Sequence, residues 1–365
     1  MLLLSCAIWL YLLIGHGRFW QSGPSLPIVP PRAMPAVTIV VPARNEAETI
    51  VTCLRSLLAQ DYGGPFRVVL VDDLSSDGTG RLAAEIEDPR LTIIRGAAHP
   101  QAWSGKLWAL HQGIQSAGEA ELLFLTDADI EHAPQHLTSL VAKLEADRLD
   151  MVSEMVALHC ESLAEYALVP PFVFFFQLLY PFDWVNDPAN RTAAAAGGTV
   201  LIKADALARA GGLEAMRGAL IDDVTLARRV KAAGRIWLGH SRLATSIRPY
   251  KEPADIWRMV SRCAYVQLGY SPWLLAGTVL GMVVVWLAPP LATLFGHGWS
   301  RVLGLLGWAA MTASYIPTLK RFGLRPFWAA CLPGAAVFYL AATCGSAWNH
   351  YQGRGVIWKQ RAYHS

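Results

Sequence analysis

Hydrophobic and polar positions divide the chain into two apolar ends and a patterned middle. Residues 1–14 are almost wholly apolar, and Gly15, His16, Gly17 and Arg18 follow, then Phe19 and Trp20. The run is shorter than the ~20 residues of a full span. Aromatic residues just beyond it suit a headgroup level, so residues 1–20 read as a membrane anchor. A signal peptide is the rival reading, but the start lacks positive charge and a small-residue cleavage site. Residues 21–36, rich in Pro, Ser and Gly, read as a linker.

From Val37 the texture changes. Short apolar runs at 37–41, 68–71, 91–94 and 122–126 predict strands, and the patterns at 45–59 and 106–117 predict helices. The turn at 72–79 leads into a further helix. Alternating strands and helices with polar residues at strand C-termini predict an α/β domain with a parallel, doubly wound sheet, placed at 37–262. Ligands of such sheets bind beyond the carboxyl ends of the strands. Residues 168–182 (LVPPFVFFFQLLYPF) read equally as core or as an interfacial segment facing lipid. Within 263–350, residues 273–295, 302–316 and 327–348 predict about three transmembrane helices. The second is short, and Pro289 and Pro290 are able to break the first. A basic tail, 351–365, ends the chain.

Composition sharpens this division. Only 16% of residues are charged, against about a quarter in a typical soluble domain. Beyond Asp255 every charged side chain is Lys or Arg. A net charge of +3 is too small to argue for nucleic acid, and basic residues flanking apolar runs fit an anionic membrane surface. The six cysteines form no CxxC pair, so neither a disulfide framework nor a metal site is expected from them. Arg18 and Arg32 after the first apolar run, with Lys320, Arg321 and Arg325 between the last two spans, place the 37–262 domain in the cytoplasm. The chain then reads as multi-pass in the cell inner membrane. With three spans, Arg354, Lys359 and Arg361 fall on the opposite side, against the rule.

Carboxylates gather where the predicted strands end. Pro42-Ala43-Arg44-Asn45-Glu46 follows the first strand; Asn45 as a helix cap and Glu46 at a helix dipole account for it equally well. Asp72 and Asp73, before a Ser/Gly turn, are placed to accept hydrogen bonds from a ring N–H or ribose hydroxyls, though Asp is also a common turn residue. Asp127 and Asp129 in Thr126-Asp127-Ala128-Asp129 offer oxygen ligands suited to Mg²⁺ or Mn²⁺. Asp222 and Asp223 open a helix, as caps or as a crowded pair whose raised pKa suits a general base. Lys106, at a helix start, is either solvated or paired with a phosphate.

Order and spacing make these signals specific. The stretches VPARNE (41–46), VDDLSSDGT (71–79), GKLWAL (105–110), TDAD (126–129), GGTVLIKADALARAGG (197–212) and DDVTLARRVKAAG (222–234) resemble the family 2 glycosyltransferases of the GT-A fold. The resemblance implies nucleotide-sugar binding by Pro42, Ala43, Asn45, Glu46, Asp72, Asp73, Lys106, Asp127 and Arg262. It implies a metal on Asp129 and catalysis by Asp223 as base beside Asp222. Processive members carry Gln-x-x-Arg-Trp; here Met259-Val260-Ser261-Arg262-Cys263 keeps only Arg262, which implies single-sugar transfer. WVNDP (184–188), GALIDDVTLA (218–227) and MVSRCAYVQLGYS (259–271) are most similar to transferases associated with hopanoid biosynthesis. They distantly resemble ceramide glucosyltransferases. The expectation is inverting transfer to a lipid hydroxyl, hopanoid or polyisoprenoid. A metal-dependent nucleotidyltransferase acting on a lipid phosphate and a non-catalytic degenerate transferase are the alternatives.

Overall fold

The computed structural model describes residues 1–118, 120–353, 356–358 and 361–363. It divides into two compact units. One holds Pro24–His159 and Trp184–Arg248; the other holds Met1–Gly23, Cys160–Asp183 and the chain from Pro249 onward.

The first unit is built on an eight-stranded sheet. Its strands are β1 (Val37–Ala43), β2 (Phe66–Asp72), β3 (Leu91–Arg95), β4 (Leu122–Thr126), β5 (Ile130–His132), β6 (Met151–Ala157), β7 (Thr199–Lys203) and β8 (Ile236–Ser246). They lie in the order β3-β2-β1-β4-β7-β6-β8-β5. β1 and β4 are buried at every position, as their unbroken apolar sequences require of strands covered on both faces. On one face Ile39, Val41, Leu70 and Phe124 pack with Ile50, Leu54 and Leu57 of the helix Ile50–Leu58. On the other, Ala109 of the helix Gly105–Ser116 packs on Val69 and Val71. That helix comes so close to the sheet that a Cβ on Gly113 would lie 2.4 Å from Val40 Cγ1.

β3, β2, β1 and β4 are parallel, as expected, but the sheet beyond them is mixed. β7 runs antiparallel to both β4 and β6, and β5 antiparallel to β8. The reason is the path of the chain. After β6 it leaves this unit, forms the helix Leu163–Leu179, returns at Trp184 and enters β7 from the end of the sheet where β6 finished, so the two neighbours run in opposite directions. Part of the stretch expected as a linker lies along the sheet: His240 N–H donates to Pro24 O (2.8 Å) and Leu26 N–H to His240 O (3.2 Å).

The second unit is helical. Pro272–Phe295, Trp299–Arg321 and Pro326–Tyr351 are each long and apolar enough to cross a membrane. Pro289 and Pro290 do not break the first. They lie in the opening turn of Ala288–Phe295, where a missing N–H costs little, directly after a π-helical stretch, Val283–Leu287. Within that stretch the Val285 carbonyl accepts a hydrogen bond from the Trp9 indole (3.0 Å). Trp9 lies in the helix Leu2–Ile14. At 1.5 Å per residue its 13 residues extend about 20 Å, short of the ~30 Å hydrocarbon core. The aromatic stretch forms a helix, Leu163–Leu179, that runs through Pro170 and Pro171. It opens with a capping box of Ser162 and Glu165. Val356–Trp358 and Arg361–Tyr363 pair as an antiparallel hairpin. Arg354 and Lys359 of the expected basic tail lie outside the described residues.

Candidate active site

The C-terminal ends of β2, β1 and β4 lie side by side, because these strands are parallel neighbours. Antiparallel β7 brings its beginning to the same edge, with Thr199 in register with Thr126. Four separate stretches of sequence thereby deliver polar residues to one rim.

Two of them are stapled together. Asn45 and Leu74 both adopt left-handed backbone conformations, with φ of 52° and 55°. Asn45 N–H donates to Ser75 Oγ (3.0 Å), and Asn45 Oδ1 accepts from Ser76 N–H (2.9 Å). Glu46 N–H donates to Thr79 Oγ1 (2.8 Å). The helix expected from residue 45 begins instead at Ile50, so Asn45 caps the neighbouring loop rather than its own helix. Arg44 donates to Asp73 O (2.5 Å), and Asp73 is fully buried. Asp72 Oδ1 accepts from Ser75 N–H (3.0 Å). A Cβ on Gly80 would lie 2.4 Å from Asp72 Oδ2, so only glycine lets this carboxylate rest there. Pro42 and Ala43 are buried at the end of β1.

The remaining carboxylates surround two cations. Lys106, in the first turn of Gly105–Ser116, lies 2.7 Å from Asp127 and 3.7 Å from Asp222. Burial alone would depress its ammonium, but Asp127 and then Asp222 outweigh that and hold its pKa above the ordinary lysine value. A solvated lysine is thus not what the fold makes of it. Arg248 joins Asp129 (2.6 Å) to Glu46 (2.5 Å) and is held charged by them in the same way. Asp223, at the start of the helix Asp222–Lys231, accepts the Gly197 N–H (3.0 Å) and its own Val224 N–H (2.8 Å). Burial, and then the neighbouring Asp222 carboxylate, push Asp223 up to about 6. Arg262, the other residue expected at the nucleotide, is exposed at the C-terminal end of Pro253–Ser261 in the helical unit.

Sequence reasoning missed Arg248 and a buried relay behind the rim. Thr126 Oγ1 is 2.8 Å from Gly198 O and 3.2 Å from His132 Nε2. His132 Nδ1 is 2.8 Å from His136 Nδ1, and His136 Nε2 is 2.7 Å from Glu154 Oε2. The protons can be assigned in sequence. The single Thr126 hydroxyl proton goes to the carbonyl, so His132 Nε2–H donates to Thr126. Burial, and then His136, hold His132 well below its ordinary pKa, hence neutral, with a bare Nδ1 that accepts from His136 Nδ1–H. His136 Nε2 then faces Glu154 across one proton. Glu154 is fully buried, and its Oε2 is the partner of His136 Nε2. A lone Glu inside the apolar strand MVSEMVA was the one available signal.

The eight-stranded sheet and the helices on it have the GT-A fold. It superposes with a TM-score of 0.55 on the mannosyltransferase PcManGT from Pyrobaculum calidifontis, covering 96% of this chain and 99% of that one at 19% identity. Residues 38–207 match the Glycosyl transferase family 2 model, and the chain therefore carries a domain of that family. The succinoglycan biosynthesis protein ExoO of Rhizobium meliloti is 36% identical over 145 residues, 38% of this chain and 40% of that protein. A β-monoglucosyldiacylglycerol synthase of Trichormus variabilis is 32% identical over 123 residues, 33% of this chain and 26% of that protein. The matched region thus spans well under half of either relative.

The relay gives a test. Glu154→Gln keeps a hydrogen-bond partner for His136 Nε2 and is expected to melt close to the unaltered protein in detergent. Glu154→Ala leaves that nitrogen unsatisfied and is expected to lose about 1–3 kcal/mol, plus the cost of the cavity. A Glu154→Ala variant that melts with the unaltered protein would refute the relay.

Proposed function

We propose that the protein is a membrane-bound inverting glycosyltransferase that moves one sugar from a nucleotide-sugar donor to a lipid hydroxyl. The observation that carries this reading is the placement of Asp223. Its carboxylate is oriented by Gly197 N–H and raised to about 6, beside a rim of charged groups at the strand ends. A base with a pKa near 6 is mostly ionised at pH 7 and still basic enough to take a hydroxyl proton. A lipid phosphate is already ionised and needs no such base, which favours a hydroxyl acceptor over nucleotidyl transfer to phosphate.

The residues of the rim divide the work. The stapled loops at 42–46 and 72–79, with Asp73, hold the nucleoside. Lys106 and Arg248 offset charge on the departing diphosphate. Among the described residues no three His, Cys, Asp or Glu side chains converge to hold a cation alone. Asp127 and Asp129 are hard oxygen donors, the one-or-two-carboxylate set that holds Mg²⁺ or Mn²⁺ when substrate phosphates complete the shell. A cation held there supplies positive charge to the diphosphate. PcManGT, of like fold, is in complex with GDP-Man and Mn²⁺. Asp222 tunes Asp223 and does not itself take the proton.

A lipid acceptor is supported by the three apolar helices and by one relative's name as a diacylglycerol glucoside synthase. Between Asp223 and the first of those helices lie Trp257, Arg258, Arg262, Tyr265 and Tyr270, the composition of a segment at headgroup level. A hopanoid or polyisoprenoid alcohol is the acceptor to test first. The positive-inside pattern of Arg18, Arg32, Lys320, Arg321 and Arg325 assigns the catalytic domain to the cytoplasmic side of the inner membrane.

A donor screen in detergent, with and without lipid, tests the reaction class: transfer releases a nucleoside diphosphate, whereas nucleotidyl transfer releases pyrophosphate. Excess chelator and Asp129→Ala are each expected to abolish transfer; undiminished activity in chelator would remove the metal from the scheme.

Asp223→Asn is expected to bind donor normally and lose about 10²–10⁴-fold in kcat. Since the ionised form is the active one, kcat/KM should fall tenfold per pH unit below about pH 6. Asp222→Asn removes a carboxylate that raises Asp223, so the acid limb should move to lower pH. A limb that stays in place, or a greater kcat loss in Asp222→Asn, would reverse the assignment within the pair.

A further inference from the structure

The helical unit contains a recess of about 690 Å³. Its walls come from the first half of Leu163–Leu179, from Tyr315 in Trp299–Arg321, and from the stretch that opens Pro326–Tyr351, with Pro253 at its margin. The lining is alkyl and aromatic: Ala167, Leu168, Pro171, Leu332 and Phe338, with the rings of Tyr166 and Trp328 meeting edge-on 6.5 Å apart.

Water is a poor occupant. A water claims ~30 Å³ of liquid, so the recess has room for roughly twenty. Each needs two to four polar partners, and beyond Tyr166, Tyr315, Trp328 and Cys331 the side chains of these walls offer none. The two long helices that form much of the wall are apolar enough to lie in hydrocarbon. A hydrocarbon chain fills such a space with no unmet hydrogen bond. Small residues, Ala164, Ala167, Gly334 and Ala335, keep it open. Gly334 is the clearest case, since a Cβ there would meet no heavy atom within 4 Å.

Chain connectivity selects among lipids. Arg248, which bridges Asp129 and Glu46, precedes the wall residue Pro253 by five positions, a chain length that reaches at most ~18 Å. The segment between them is anchored in the helical unit, where Tyr250 N–H donates to Glu165 (2.8 Å), the capping residue of Leu163–Leu179. Glu165 is 1% exposed and also accepts the Glu161 and Ser162 N–H groups. A lipid tail seated in this recess therefore touches, at Pro253, a stretch of chain that runs back in five residues to Arg248.

We propose that this recess binds the hydrocarbon tail of the acceptor lipid. The proposal rests on the lipid-acceptor reading above. It makes tail length and shape, rather than headgroup contacts alone, a determinant of acceptor choice.

Two glycines provide a matched test. Gly334 lines the recess and Gly281 does not, yet a Cβ on either meets no heavy atom within 4 Å, so the two substitutions start from like surroundings. The full-length protein in detergent micelles is given a diazirine-tailed diacylglycerol or a diazirine-tailed polyprenol, and transfer to the untagged lipids is followed in parallel. Crosslinks are expected in peptides spanning 163–171 and 328–338. Gly334→Phe should reduce them and raise the acceptor KM by about tenfold, a loss of about 1.4 kcal/mol, with donor affinity unchanged. Gly281→Phe should do neither. The arm that labels and transfers identifies the tail class, acyl or isoprenoid. Crosslinks spread evenly over the apolar helices, or a Gly334→Phe variant with unaltered KM, overturn the recess while leaving a lipid acceptor in place. If the unaltered protein glycosylates no lipid of a total membrane extract yet does glycosylate a soluble sugar, the lipid reading fails and the recess proposal falls with it.

Discussion

The antiparallel register of β7 against β4 is the constraint on which the site depends. Thr126 ends β4 opposite Thr199, so the Asp127-Ala128-Asp129 turn and the Gly197-Gly198 pair meet at one rim. The Thr126 hydroxyl closes that junction onto Gly198 O, and Gly197 N–H holds Asp223. A slip of one residue would turn every side chain of β7 to the opposite face and carry Gly197 away from Asp223. The buried chain from Glu154 through His136 and His132 to Thr126 fixes the register from behind. Each donor in it has one acceptor, so the Thr126 hydroxyl has a single orientation. A polar network of this kind is worth keeping only when it is fully satisfied. Here Glu154 Oε1 is the one atom of the network left without a partner.

Much of this was legible in the sequence, and the limits have physical causes. Strands β1, β2 and β4 declare themselves because both their faces are covered, leaving unbroken apolar runs with polar residues only where they end. The apolar helices declare themselves by length alone. The parallel sheet was overextended, since β7 has the same apolar texture whichever way it runs, and only the path of the chain after β6 decides. Asn45 looked like a helix cap because residue type is local information; its partner, Ser76, belongs to another loop. Pro289 and Pro290 looked like breakers because the register of a helix start, which makes them harmless, is not visible in composition. Arg248 lies 119 residues from Asp129 and 202 from Glu46, and no spacing rule reaches so far.

The charge balance of the rim supplies the last step. Asp127, Asp129, Asp222, Asp223 and Glu46 face Lys106 and Arg248, leaving more carboxylates than cations even with Asp223 partly protonated. A nucleotide-sugar diphosphate adds further negative charge to a rim that is already net negative. At an effective dielectric of ~20, one pair of like charges 4 Å apart costs about 4 kcal/mol. Donor entry therefore requires cationic charge to come with it or to be redirected towards it. Arg248 is suited to redirection, because its guanidinium can leave Asp129 for a phosphate and remain paired with Glu46. That exchange would free the Asp129 carboxylate as an oxygen donor at the moment the diphosphate arrives. On this argument the ion pairs of the resting rim hold the carboxylates in place until a donor compensates them.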